Sequence, residues 1–243
     1  MCFHTSQTKK VTELENRFKA SLSKESERPF YDTSRYHLNG FSHPKMLIIP
    51  QEGPAVLASA FWGIVPGNKK PEQLNEYYKE AVRFGGGLNA QSEKLFDHFI
   101  YKQAALKRRC LIPVTGFFEP HEYKSKKYPF HIKQKEDDVL SLAGLYTIVG
   151  NQVTFSILTK KASSLFAKIH NKKFRQPIIL QKQFESDWLN NDLLKSDVEE
   201  LIQMQYPEEQ LSAYTISKDV FSPHINSDES YILEEVKYEG VEV

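Results

Sequence analysis

Cysteine is scarce in this chain: Cys2 and Cys110 are the only two in 243 residues. A disulfide framework is excluded as the source of stability, and the usage fits a reducing compartment. Net charge is scarce as well, +1 from 32 basic and 31 acidic residues. With that balance, contact with nucleic acid must come from a local patch rather than a bulk field. No apolar run approaches the roughly 20 residues that span a bilayer, and the N-terminus lacks the charged-then-apolar order of a targeting segment. No internal repeat, low-complexity tract or Pro/Gly/Ser-rich linker divides the chain. C-x-x-C, H-E-x-x-H, G-x-G-x-x-G, the P-loop and G-x-S-x-G are all missing. Their absence argues against a zinc site, a dinucleotide or nucleotide cradle and a serine hydrolase elbow. No metal and no cofactor is expected.

Aromatic residues are plentiful: 16 Phe, 12 Tyr and 2 Trp. Their burial should dominate a core that a chain of this length can build without cross-links. Val11 to Leu22 reads as a short amphipathic helix, and Lys24 to Pro44 as mostly loop. Met46 to Ile49 and Ala55 to Val65 read as strands, followed by a helix around Leu74 to Val82 and another from Ser92 to about Leu106. Strands then predominate at Cys110 to Phe118, Tyr128 to Lys133, Val139 to Val149 and Gln152 to Thr159, with a hairpin turn at Gly150-Asn151. A short helix, Ser163 to Ile169, precedes a strand at Gln176 to Leu180. Phe184 to Gln205 is mainly helical with a break near Asn190, and Leu211 to Ser217 is a late strand. Non-alternating strands with inserted helices give an α+β class in one domain, residues 1–243. Its core runs from about 2 to 226, and 227–243 forms a tail, with Tyr231 to Val243 loosely held or an edge strand.

Four places could carry chemistry. Cys2 directly follows Met1. Once Met1 is removed, it bears an amine and a thiol on adjacent carbons. The amine can condense with an aldehyde to an imine, and the thiol can then close a thiazolidine. A cysteine at a frayed terminus by chance is the competing reading. Asn89 follows Gly85-Gly86-Gly87, glycines that would let backbone approach a ligand, though a flexible loop with a turn Asn is the better reading of this segment alone. Glu119 follows two phenylalanines and precedes Pro120, which should end the strand and leave the carboxylate at a rim. Apolar neighbours would raise its pKa toward proton transfer, and a solvated glutamate is the alternative. His170 sits between a helix and a strand; position alone does not choose it over seven other histidines. Lys107-Arg108-Arg109 and Lys124 to Lys127 are basic clusters, more often solvated faces than phosphate contacts.

Taken in order, Met-Cys, Phe61-Trp62-Gly63-Ile64-Val65-Pro66, Leu88-Asn89-Ala90, Arg109 to Pro113, Gly116-Phe117-Phe118-Glu119, Thr159 and Ile169-His170-Asn171 before Gln176 to Leu180 resemble the SRAP family, the SOS-response-associated peptidases. The resemblance runs from Cys2 to about Leu189, more weakly to Asn226. It implies a curved, barrel-like, mainly antiparallel sheet with peripheral helices. It also implies covalent crosslinking to abasic sites in single-stranded DNA through Cys2, after self-removal of Met1. Asn89 would hold the cysteine and the opened sugar. Glu119 would shuttle protons at the amine, and His170 would assist sugar opening. DNA contacts would fall to His4, Lys69, Lys70, Gln91, Thr159 and Arg175, in a monomer of the cytoplasm associated with the nucleoid.

The chain departs from the family pattern at several of these positions. Gln91 stands where members usually have arginine, Pro120 where tryptophan is common, Asn68 where a tryptophan wedge is frequent, and His4 where some have arginine. An N-terminal-nucleophile amidohydrolase or glutamine amidotransferase, and a non-catalytic DNA-binding paralogue, are the alternative functions.

Overall fold

Two sheets divide the strands of this α+β chain, and the segment that begins at Cys2 lies in the smaller one. The computed structural model describes residues 2–136 and 138–241. In chain order the first elements are β1 (His4–Gln7), α1 (Val11–Phe18), β2 (Ser21–Leu22), α2 (Arg28–Tyr31), β3 (Arg35–Asn39), β4 (Lys45–Pro50), β5 (Val56–Trp62), α3 (Leu74–Ala81), β6 (Asn89–Gln91) and α4 (Tyr101–Lys107). There follow β7 (Arg109–Val114), β8 (Gly116–Tyr123), β9 (Lys126–Gln134), β10 (Leu140–Val149), β11 (Gln152–Lys161), α5 (Ser164–Ile169), β12 (Arg175–Pro177), β13 (Ile179–Leu180), α6 (Glu185–Trp188), α7 (Lys195–Gln203) and β14 (Leu211–Thr215).

The smaller sheet has the order β14-β9-β8-β1-β3. In the larger sheet, antiparallel neighbours run β11-β10-β7-β4-β5. A parallel pairing of β5 with β11, Thr154 opposite Phe61 and Phe155 opposite Trp62, returns to the first strand and closes these five into a barrel. Closure leaves these strands no open edge. Alternate barrel residues enter two apolar clusters, as the period of two requires. Leu47, Ile49 and Leu111 pack with Val11, Leu14, Ala104, Trp188 and Val198 from the helices. Met46, Ile48, Trp62 and Ile112 pack with Phe117 and Ile132 of the smaller sheet, and Cys2 belongs to this second cluster.

The long strand expected over Cys110 to Phe118 is in fact two, and they belong to different sheets. The chain crosses over at Thr115-Gly116. There the Thr115 N–H donates to the Ser6 carbonyl (2.9 Å). A Cβ on Gly116 would meet His131 Nε2 at 2.2 Å and the Ile132 carbonyl at 2.9 Å, so only glycine fits the crossing. The first helix stops at Phe18 rather than Leu22, because Lys19 turns left-handed (φ 53°) and its N–H caps the Glu15 carbonyl. Within the supposed loop Lys24 to Pro44 lies β3. It lacks apolar alternation and owes its strand character to pairing with β1, His4 opposite Asn39. The expected helix from Ser92 is only a single 3-10 turn, with α4 beginning at Tyr101. The Gly150-Asn151 hairpin is present, with Val149 opposite Gln152 and Gly150 at φ 61°.

Two further expectations change. Arg109 is not on a solvated basic face but fully buried. Its guanidinium donates to the carbonyls of Ala105 (2.7 Å), Leu106 (2.9 Å), Trp188 (2.8 Å) and Asn190, which ties the end of α4 to the end of α6. Residues 227–241 are held rather than loose. The Asp228 carboxylate accepts the Tyr36 N–H (2.7 Å) and the His37 N–H (3.1 Å), Ile232 is buried, and the Val236 N–H donates to the Thr215 carbonyl (2.8 Å). Cys110 is a buried small hydrophobe whose thiol burial pushes well up from its usual range. Among the described residues, no helix is long and apolar enough to cross a membrane.

Candidate functional site

The site is built where the start of β1 meets β8. In register, His4 lies opposite Phe118 and Thr5 opposite Phe117. Cys2 therefore lies beside the part of β8 that carries Glu119 and Pro120. Cys2 is fully buried. Its backbone carbonyl accepts the Asn89 side-chain amide N–H (2.9 Å), and its thiol donates weakly to the His4 carbonyl (3.8 Å). The Gly40 N–H holds the next carbonyl, that of Phe3 (2.8 Å). The frayed-terminus reading therefore fails for residue 2.

Asn89 is placed by the backbone on either side of it. β6 runs parallel to β11, with Asn89 beside Ile157. The Leu88 carbonyl accepts both the Trp62 indole N–H (3.0 Å) and the Ile157 N–H (3.0 Å). Of the preceding glycines, Gly87 serves packing against the protein itself, whereas a Cβ on Gly85 would meet nothing within 4 Å. A Cβ on Gly87, at φ 68°, would lie 2.6 Å from the Ile64 carbonyl oxygen, and the Gly87 carbonyl accepts the Ile64 N–H (3.1 Å). Asn89 Oδ1 is buried with no hydrogen-bond partner among the described residues, so one acceptor remains for an incoming donor.

Glu119 departs from the rim position expected of it: it is fully buried in mid-strand. Pro120 does not end β8, because it lies opposite Pro129, whose carbonyl faces the Ile216 N–H on the other side. Prolines facing each other at a non-hydrogen-bonded pair forfeit no ladder bond. Burial pushes the Glu119 carboxyl up to about 7, so near neutral pH it exchanges a proton with little bias. Burial likewise pushes the Cys2 thiol well up, and the Glu119 charge adds to the effect. The thiol is therefore protonated at rest and needs a base to act.

His170 caps α5, its N–H donating to the Phe166 carbonyl (2.8 Å). Its Nδ1 faces two oxygens, Glu119 Oε2 (3.2 Å) and the Arg175 carbonyl (3.2 Å). A carbonyl can only accept, so Nδ1 carries the proton and Nε2 is the basic nitrogen. Burial pushes the ring down to about 4 and holds it neutral. Phe174, at φ 51°, turns the chain so that the Arg175 carbonyl faces this ring. Asn89 and Glu119 thus reach Cys2 from β6 and β8, and His170 joins through Glu119 from the end of α5, which sequence order alone could not show.

The predicted DNA contacts are less unified. The Arg175 guanidinium donates to Glu93 Oε1 (2.6 Å), the Thr159 carbonyl (2.8 Å) and Thr159 Oγ1 (3.1 Å), so its charge already has a counter-ion. Thr159 is fully buried on β11, opposite Gln91 of β6, and ties Arg175 to that strand. His4 Nδ1 lies 2.8 Å from His37 Nε2, and burial pushes His4 down to about 3. His4 is therefore a neutral ring and not a cation in place of arginine. Lys69 and Lys70 precede the turn Pro71–Gln73 and line no part of the cavity beside His170.

That cavity, about 770 Å³, opens between β1, β3, one face of β8 (Phe118, Pro120 and Glu122) and residues 220–228. Lys127, Lys172 and Lys173 line one part of it, and Lys172 pairs with Glu122 (2.6 Å). Sequence reading placed Lys127 in a basic cluster taken for a solvated face compatible with phosphate contacts, and assigned Lys172 and Lys173 no role. The signal was the pair Lys172-Lys173 directly after His170-Asn171. Among the described residues, no group of three or more His, Cys, Asp or Glu side chains could hold a metal ion.

The fold and site together define a class: a barrel-containing α+β protein that buries a cysteine at position 2 among an amide, a proton-exchanging carboxyl and a neutral imidazole. The chain belongs to the SOS response associated peptidase (SRAP) family, whose sequence pattern matches residues 1–223. It is similar to the abasic site processing protein YoqW of Bacillus subtilis, at 32% identity over 174 residues, covering 69% of this chain and 72% of that one. Among solved structures, a Bacteroides thetaiotaomicron protein matches with a TM-score of 0.83 at 26% identity, covering 97% of this chain and 100% of that one. A Bordetella bronchiseptica protein at 23% identity has the same fold, with a TM-score of 0.72 over 89% of this chain and 100% of its own.

Proposed function

We propose that this chain is an abasic-site processing protein that crosslinks to single-stranded DNA through Cys2. The observation that carries the reading is the burial of Glu119, poised near neutrality, against both His170 and Cys2. Hydrolysis of the Met1–Cys2 bond consumes one water and frees the Cys2 amine, with Glu119 passing a proton to the departing nitrogen. The amine then adds to C1 of the ring-opened abasic sugar, and loss of water leaves an imine. The thiol adds across that C=N bond. Sulfur bonds to carbon, and the thiol proton passes through Glu119 to nitrogen, completing the thiazolidine. Asn89 holds the Cys2 carbonyl, so amine and thiol approach the carbon together. His170, basic at Nε2, takes and returns the proton of the sugar hydroxyl that opens and closes the ring.

Single-stranded DNA bearing an aldehyde is the partner this chemistry demands. One copy supplies every group named, so the protein acts as a monomer, in the cytoplasm on nucleoid DNA. Intact mass spectrometry tests the proposal. The purified protein is expected to lack Met1 and to gain the mass of an abasic oligonucleotide less one water. A protein that keeps Met1, or forms no adduct, would overturn it.

A further inference from the structure

The cavity beside His170 is chemically divided. Lys127 and Lys173 are exposed on one part of its wall. The other part is mainly aromatic, and its one carboxylate, Asp228, is already held by Arg35 (3.2 Å) and by the Tyr36 and His37 N–H groups. Phe3, the residue next to Cys2, packs on Phe41 with ring centroids 4.9 Å apart. Phe221 packs on His4 at 5.2 Å, and Ile225 completes this side. The two histidines on this wall, His4 and His37, are bonded to each other, and His37 Nδ1 lies 2.6 Å from Ser227 Oγ. Burial pushes them down to about 3 and about 4, so both are neutral. Such a wall does not attract phosphate. It offers flat apolar faces and neutral hydrogen-bonding groups, which suit a nucleobase. Phe41 is 48% exposed, a large aromatic left uncovered at the mouth of a cavity. Asn39 bonds the Phe41 N–H (3.0 Å) and fixes the turn that presents the ring.

We infer that the Phe3–Phe41 wall is a subsite for the unpaired base next to the abasic sugar, with Lys127 and Lys173 facing the backbone phosphates on the opposite side. The inference rests on the function proposed above, since Phe3 adjoins the cysteine that would hold the sugar. Stacking of that base would align the strand so that the abasic carbon meets Cys2. Phe41 is then a positioning residue, distinct from the groups that move protons.

The test uses labelled single-stranded DNA carrying one tetrahydrofuran, a sugar with neither base nor aldehyde, flanked by thymines. Companion strands replace the 5′ or the 3′ neighbouring base with a second tetrahydrofuran. Binding is read by fluorescence anisotropy, which needs no covalent step. Removing the base on one side is expected to weaken binding to the full-length protein about tenfold, as loss of one stacking contact does. That dependence should vanish in Phe41→Ala and return in Phe41→Trp; the exposure of Phe41 leaves the fold intact in both. Equal binding of all strands, or the same base dependence in Phe41→Ala, would overturn the subsite. Base-dependent binding without any adduct on true abasic DNA would overturn the crosslinking chemistry and leave the subsite standing. Adduct formation indifferent to both neighbouring bases would do the reverse.

Discussion

The proposed reacting centre and the surface proposed to face DNA are built on opposite principles. Cys2 and Glu119 are fully buried and His170 is 5% exposed, and their protonation is governed by desolvation. Lys127, Lys173 and Phe41 sit in water at the mouth of the adjoining cavity. A buried group can be tuned, because removal of solvent shifts its pKa by whole units. An exposed cation keeps its charge and contributes a small, salt-screened attraction. Change at the first region should therefore be felt in chemistry and change at the second in binding.

The largest expected effect is that of Cys2→Ala, which should abolish the adduct while binding to tetrahydrofuran DNA persists. An undiminished adduct by intact mass would break the comparison at its strongest point. Next is Glu119→Gln, expected to slow Met1 release and thiazolidine formation about a hundredfold or more. In the wild type, the rate of the step using Glu119 as base should climb as pH rises through about 7, and the Gln variant should lose that climb. Stability gives a second reading of the same group. Its folded pKa is raised, so its contribution is present below the ordinary carboxylate range and lost as pH rises through about 7. Above that pH, Glu119→Gln should be more stable than wild type by on the order of 3 kcal/mol, measured by urea denaturation at two pH values.

Smaller is the effect of Asn89→Ala, which deletes the bond to the Cys2 carbonyl. About tenfold slower adduct formation is expected at saturating DNA, from the loss of about 1.4 kcal/mol of positioning. The smallest is that of Lys173→Gln. Binding should weaken a few-fold for every sequence, and the slope of log affinity against log salt should fall by about 0.7. The saturated rate should not move, and a change in it would blur the division between the two regions.

Much of the barrel was legible before the structure. Its strands are long and β-branched or aromatic, and β4, β5, β10 and β11 appear near the expected positions, as do α3 and α5. What was not legible had no local pattern. β3 is a strand because β1 lies beside it, and the break at Thr115-Gly116 exists because two sheets compete for one stretch of chain. Pro120 was read as a terminator because only the facing Pro129 shows that no bond is lost there. The glycines before Asn89 were read as a flexible loop or an approach to a ligand, yet Gly87 abuts the Ile64 backbone, more than twenty residues away in sequence. Arg175 was matched to phosphate without sight of Glu93, its partner across β11.

By itself the sequence supplied a cysteine directly after Met1, and through the ordered motifs that resemble the SRAP family it singled out Asn89, Glu119 and His170; motif order is legible because residue type and position are local facts. Tertiary structure decided how those groups behave. It buried Cys2 and Glu119, oriented the His170 ring, neutralised His4 and occupied Arg175. A pKa and a counter-ion depend on what lies across the sheet, and that proximity arises only when distant strands pair.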